Sequence, residues 1–378
     1  MEFKCSVKDL QNAVGNITKV IAKKTALDIL TRVYIKTEAN TVVLRGTDFA
    51  SFTVSELEAE VTGEGAALVE GQLLLDILSK LRSEKMVFSY NEDTQEAVIT
   101  GDKVTFQLSN QNKPEQYPQL DEISKENYVT VAPADLKKAI ACTKFAADDK
   151  NGTREFLKGI HMMTVDMTLK LIATDNHRLS IYSCPVIEKN QEVDAVVPVY
   201  VADMISGLID DNKPSVNLYF SKKSVSVESM VSEYSGGLID LKYPDVNRAV
   251  PADCKTVITV PRDSLLAAMD SMEVASRTNS YICFLKASDG ELTLFSQSLD
   301  GSIKAKAVVD IETDGDSVEF GVNIHYAREA VSIMETDTIE IRLNGNDMAF
   351  VLKESKNDNF LHVLMPLALT DKDKKGMD

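Results

Sequence analysis

Lys8, Asn12, Lys19 and Lys23 fall within about 60° of one another when wound at helical spacing, opposite Leu10, Val14, Ile17 and Ile21. Lys137 and Lys144 repeat the pattern, with Lys138 to one side and Leu136, Ala139, Ile140 and Thr143 behind them. A third set, Arg262 and Arg277, is interrupted by Asp270 and Glu273. For any single helix a solvated face explains such charges, but three equivalent faces add along a surface.

Other chemistry has little support in the chain. There is no GxxxxGK followed by Ser or Thr, no GxGxxG, HExxH or GxSxG, and no paired CxxC. The four histidines, His161, His177, His325 and His362, do not pair at metal-ligand spacing. The five cysteines are an odd number, far apart, which suits reduced thiols in a cytoplasmic protein. No enzyme, metal or cofactor is expected.

The basic faces belong to elements that recur. DLQNAV from Asp9, DLKKAI from Asp135 and SLLAAM from Ser264 each follow a short alternating run, EFKCSV, YVTVAP and TVITVP. Their leucines, Leu10, Leu136 and Leu265, are 126 and 129 residues apart, which is the length of a whole domain. Hairpin patterns follow at Leu44–Val61, Leu171–Ile187 and Leu292–Ile311. A second helix comes next, LLLDILSKL from Leu73, YVADMISGLI from Tyr200 and HYAREAVSIM from His325, and then more strands. The expectation is an α+β chain of three tandem domains, 1–126, 127–252 and 253–378, each with two helices on antiparallel sheets. Polar joints at Asp121 and Ala252 mark the boundaries, and the charged tail from Asp371 is expected to fray.

Repetition has an assembly consequence. Surfaces joining the first domain to the second recur between the second and third, so the outer faces of the first and third are left complementary. Head-to-tail contact then makes a ring if the rotation closes and a filament if it does not.

Net charge is −17, with 44% hydrophobic and 26% charged residues. The sum argues against nucleic acid, but a ligand feels only charges within about 8 to 10 Å, so a basic inner face inside an acidic shell stays open. No apolar run approaches the ~20 residues of a membrane helix, and the start lacks the basic and apolar segments of a signal peptide.

Four motifs carry a resemblance over the whole chain. ATDNHRLS at Ala173–Ser180, YPDVNRAVP at Tyr243–Pro251, HVLMPL at His362–Leu367 and KKTALDIL at Lys23–Leu30 resemble, in order and spacing, those of the bacterial sliding-clamp family, the beta subunits of DNA polymerase III. The resemblance implies a non-catalytic processivity factor whose three domains per chain assemble as a head-to-tail homodimeric ring around duplex DNA. The implied partners are the replicative polymerase catalytic subunit, the clamp loader and other proteins carrying clamp-binding peptides. The competing expectation is a clamp-fold scaffold that binds peptides without loading on DNA.

Carried over by position, the family's peptide groove comprises Leu157, Thr174, His177, Arg178, Leu179, Pro244, Arg248, Val363, Met365, Pro366 and Leu367. Met, Leu, Val and Pro offer an adaptable apolar surface, and the two arginines would orient polar groups. DNA contacts are expected from Lys23, Lys24, Lys137, Lys138, Lys144, Asn151, Arg154 and Phe156. Dimer contacts are expected from Phe106, Leu108, Val274 and Ala275, with a place in the domain core the alternative for Phe106. Three positions depart from the family pattern: Asn176 for Gly, Ala368 for Arg, and Ala249 for a larger aliphatic.

Overall fold

The computed structural model describes residues 1–109, 112–120, 122–148, 154–229, 232–251 and 253–367. Asp121, Asn151, Ala252, Ala368 and the tail from Asp371 lie outside the described residues.

The order strand, helix, strands, helix, strands runs through the chain three times. Its six helices among the described residues are α1 (Val7–Thr18), α2 (Gly71–Lys80), α3 (Pro133–Lys144), α4 (Val199–Leu208), α5 (Arg262–Ser276) and α6 (Ile324–Ile333). They fall into two compact units: residues 1–134, 186–191 and 200–238, and residues 135–185, 192–199 and 239–378. The division cuts the middle copy, because each of its halves is continuous in sheet with a neighbour.

In the first unit a five-stranded antiparallel sheet ends at the Val104–Ser109 strand, which among the described residues pairs only with Glu96–Gly101. A second sheet crosses from the first domain to the middle one where Ser51–Glu58 pairs with Ser232–Gly237, in register Ser55↔Ser232 to Ser51↔Gly236. α1 explains the local logic. Ser6 accepts the Asp9 N–H at 3.3 Å as its cap. Leu10, Val14 and Ile17 then turn inward and pack in one core with Leu74, Ile77 and Leu78 of α2. Gly46 permits this close approach, since a Cβ there would lie 2.4 Å from Ile17 Cγ2.

The second unit repeats the joint. Arg178–Lys189 pairs with Phe360–Leu364, in register Arg178↔Leu364 to Tyr182↔Phe360, which joins the middle domain to the third. A separate four-stranded sheet ends at Lys304–Asp310, which among the described residues pairs only with Glu291–Gln297. α3 buries Leu136, Ala139, Ile140 and Thr143, as its spacing requires.

Candidate functional site

The turn Thr174–Arg178 shapes the centre of the site. Thr174 Oγ1 donates to the Arg178 carbonyl at 2.6 Å and accepts the Asn176 N–H at 3.1 Å. Asp175 Oδ1 accepts the N–H groups of His177 at 2.9 Å and Arg178 at 3.0 Å. Asn176 takes the left-handed backbone, φ 74°, that its amide side chain tolerates. The turn leaves His177 in solvent and sends Leu179 into the floor.

Strand pairing sets Val363 opposite Leu179, and Met365 N–H donates to the His177 carbonyl at 3.2 Å. Leu157, Leu179 and Val363 are buried; the last two pack with Ile172, Tyr243 and Val351. Tyr243 stacks on His161 with ring centroids 4.8 Å apart, and Phe156 meets it edge-on at 6.0 Å. This anchors the loop that carries Pro244 and Arg248, both exposed. Met365 keeps 53% of its surface in water, an apolar side chain unpartnered beside an apolar floor. Pro366 and Leu367 are half-buried. An apolar floor with a sparse polar rim can take an extended peptide bearing a large hydrophobic anchor.

The basic residues divide between the two units. Lys8, Lys19, Lys23 and Lys24 are exposed in the first unit, and Arg154 in the second. Lys137 and Lys144 are half-buried along α3, and Lys138 Nζ reaches Glu335 at 2.5 Å. On α5 the two acids turn toward α6: Glu273 bonds His325 Nδ1 at 2.6 Å and Arg328 at 3.1 Å, and Asp270 also pairs with Arg328. The open strand Val104–Ser109 lays Phe106 and Leu108, half-buried, against its own domain core. Around the other open strand Leu299, Ile303 and Val308 are exposed, as is Val274 at 63%.

Three family models match consecutively: the N-terminal, central and C-terminal domains of the DNA polymerase III beta subunit, over residues 1–121, 130–245 and 247–368. The chain belongs to the DNA polymerase III beta subunit family. Similar relatives include the beta sliding clamps of Staphylococcus epidermidis and Staphylococcus aureus. Each is 24% identical, with 97% of this chain and 99% of the relative covered. Among solved structures, the Bacillus subtilis sliding clamp superposes with TM-score 0.92 at 21% identity, covering 98% of this chain and all of that one. The beta subunit of Streptococcus pyogenes gives 0.91 at 23%, with the same coverage. The fold is thus three tandem clamp domains, and the function is that of the family, a non-catalytic processivity factor of the sliding-clamp type.

Against the expectations drawn from that family, several residues sit differently. Arg178 is 9% exposed, and its guanidinium is engaged by the chain itself. Nε meets Asp175 at 3.0 Å, Nη1 meets Glu329 at 2.5 Å, Nη2 donates to the Phe145 carbonyl, and Cζ stands over the Tyr326 ring, 4.2 Å from its centroid. It is a strut under the Thr174–Arg178 turn rather than an exposed donor, which leaves Arg248 as the exposed cation among the expected groove residues. Tyr326 and Glu329, three residues apart on α6, were not visible as site residues in the sequence; their i, i+3 spacing is the signal that points them the same way. Ala275 is 2% exposed and faces the core of its domain, so it offers no contact to a second chain. Phe156 is half-buried and packs edge-on against Tyr243. α1 ends at Thr18, so Lys23 lies beyond the helix whose face it was expected to extend.

Beneath Arg178, His362 is fully buried, with Nδ1 bonded to Ser180 Oγ at 2.7 Å and its ring beside Phe145 and Phe360. Burial first, and the Arg178 charge second, hold its pKa down to about 3, so it is neutral at physiological pH. All five cysteines are free, and burial pushes the thiols of Cys5, Cys142, Cys184 and Cys283 up to about 12. No group of acids, cysteines and histidines able to hold a metal occurs among the described residues, and none of their helices is long and apolar enough to cross a membrane.

Proposed function

We propose that two copies of the chain close head to tail into a ring around duplex DNA, and that the Leu179–Val363 groove receives peptides of the replicative polymerase, the clamp loader and other clamp-binding proteins. Ring closure rests on one observation. At both internal joints the last strand of a domain pairs with the third hairpin-side strand of the domain before it: Ser232–Gly237 with Ser51–Glu58, and Phe360–Leu364 with Arg178–Lys189. By that rule the first domain's last strand, Val104–Ser109, lacks its partner, and the third domain's Lys304–Asp310 lacks its own. Both are open edges. A second copy supplies each with the other, Phe106 and Leu108 lying near Val274, Leu299 and Ile303. The proposed domain limits are 1–126, 127–252 and 253–378.

Lys8, Lys19, Lys23, Lys24, Lys137, Lys144 and Arg154 are the proposed phosphate contacts, with Lys138 screened by Glu335. Such contacts are sequence-independent and weaken steeply with salt, so encirclement supplies the retention that they do not. The compartment is the cytoplasm. The test is retention of labelled protein on closed circular DNA before and after one double-strand cut. Retention is expected to vanish on cutting; equal retention on linear DNA with free ends overturns the ring. For the groove, Met365→Glu is expected to abolish binding of a polymerase peptide while the dimer survives in sedimentation, and an unchanged peptide affinity overturns that assignment.

A further inference from the structure

The turn that shapes the groove occurs a second time, in the first unit. Thr47 Oγ1 donates to the Ser51 carbonyl at 2.8 Å and accepts the Phe49 N–H at 3.0 Å. Asp48 Oδ1 accepts the N–H groups of Ala50 at 3.0 Å and Ser51 at 2.7 Å. Ser51 pairs with Gly236 as Arg178 pairs with Leu364, and Gly237 N–H donates to the Ala50 carbonyl at 2.9 Å as Met365 does to that of His177. Backbone and register match bond for bond.

The side chains do not. Phe49 stands in the place of Asn176, at φ 72° with 65% of its surface exposed. Left-handed backbone strains a residue with a Cβ, and a bulky side chain there is an outlier. Neither that strain nor the wet ring helps the fold. Gly237 occupies the position of Met365, so no side chain covers the turn from that strand. Tyr200, the second residue of α4 as His325 is of α6, is half exposed, and its hydroxyl lies near Ser51 and Asp48. Lys222 and Lys223 are exposed, and the Lys223 carbonyl, which accepts the Leu238 N–H at 2.8 Å, lies 4.0 Å from where a Cβ on Gly237 would stand. Neither lysine has an ion pair with another described residue. In a chain of net charge −17 these two adjacent cations stand against the one carboxylate of the turn, Asp48, whose Oδ1 is taken by two backbone N–H groups.

We propose that Phe49, Tyr200, Lys222 and Lys223 form a second docking surface, whose occupant is an extended acidic segment of another protein. One large apolar side chain of the segment lies against Phe49 and Tyr200, and its carboxylates meet the lysines. The proposal takes from the groove its geometry alone and stands apart from what the groove binds.

The experiment titrates the full chain with a fluorescein-labelled peptide that carries a leucine–phenylalanine pair flanked on each side by two aspartates. In Met365→Glu the peptide is expected to bind at one site per chain, weakening at least tenfold in Phe49→Asn and in Lys222→Glu/Lys223→Glu. Phe49→Asn is also expected to raise Tm, because it relieves the turn, so loss of binding there is not loss of folding. Two sites in the unaltered chain and one in Met365→Glu support both surfaces. One site in each, lost in Phe49→Asn, keeps this surface and removes the groove. Absence of binding in Met365→Glu, or binding unchanged by Phe49→Asn, overturns the proposal. So does a change in sedimentation mass with Phe49→Asn, which makes the surface a contact between copies.

Discussion

Where Ser51–Glu58 meets Ser232–Gly237, hydroxyl faces hydroxyl. Ser55 and Ser232 are 2.6 Å apart, Asn16 Nδ2 donates to Ser232 at 3.1 Å, and Tyr234 reaches Ser51 at 3.3 Å. Where Arg178–Lys189 meets Phe360–Leu364 the same ladder is lined by Leu179, Ile181, Val363 and Leu361, with a buried arginine at its end and a neutral histidine at its middle. The first joint divides its stability among neutral bonds of about 1 kcal/mol each, whose loss the rest can absorb. The second concentrates it on a buried charge that three groups must satisfy together. Fixing one shape beside a binding floor calls for the second kind, and the tolerant first joint accommodates a strained Phe49.

The largest break in that contrast is Arg178→Met, which strands Asp175 and Glu329 at the joint. A loss of about 3–5 kcal/mol in urea unfolding is expected, together with weaker peptide binding. A loss under about 1 kcal/mol would make the two joints alike. Next comes pH. The pKa of His362 in the folded chain, about 3, lies below its ordinary value, so between the two the unfolded chain binds a proton that the folded one refuses. Stability from this group is complete above about 6.5 and falls as pH drops, by on the order of 1 kcal/mol per unit. His362→Asn is expected to flatten the acid limb of a Tm-versus-pH curve; an unaltered limb rules the histidine out. The smallest effect belongs to the first joint. Ser55→Ala removes one hydroxyl and leaves Ser232 its bond from Asn16, so a loss of about 1 kcal/mol or less is expected in the same unfolding assay.

Much of this was legible in the sequence because repetition and periodicity are local signals. Leu10, Leu136 and Leu265 mark the three first helices, and all three are buried. The apolar face of α2 ends as expected, with Leu81 at its cap. The Ser232–Gly237 strand had no such signal, since its serines and glycines spell a turn. Only the structure shows why they serve: Ser232 pairs with Ser55 across the joint, Ser235 with Ser226 on the neighbouring strand of its own domain, and a Cβ on Gly236 would fall 2.5 Å from Val201. Motif spacing named Leu179, Val363 and Met365, which the structure sets side by side, but not the engagement of Arg178, because Tyr326 and Glu329 come from a helix about 150 residues away in sequence. Ala275 was misplaced for a similar reason: adjacent residues on a helix point about 100° apart, and Val274 took the outer direction.

The two strands open on one side carry a hazard as well as an opportunity. A free edge accepts any compatible strand, and a molecule with two such edges can add neighbours without limit. Thr105 and Gln107 put exposed polar side chains on one such edge, a modest guard against adventitious pairing. The ring proposed above would hide both edges at once. A subunit kept from closing, by dilution or by damage at Phe106, would then be exposed to disordered polymerisation, and the interface that completes the assembly would also protect it from aggregation.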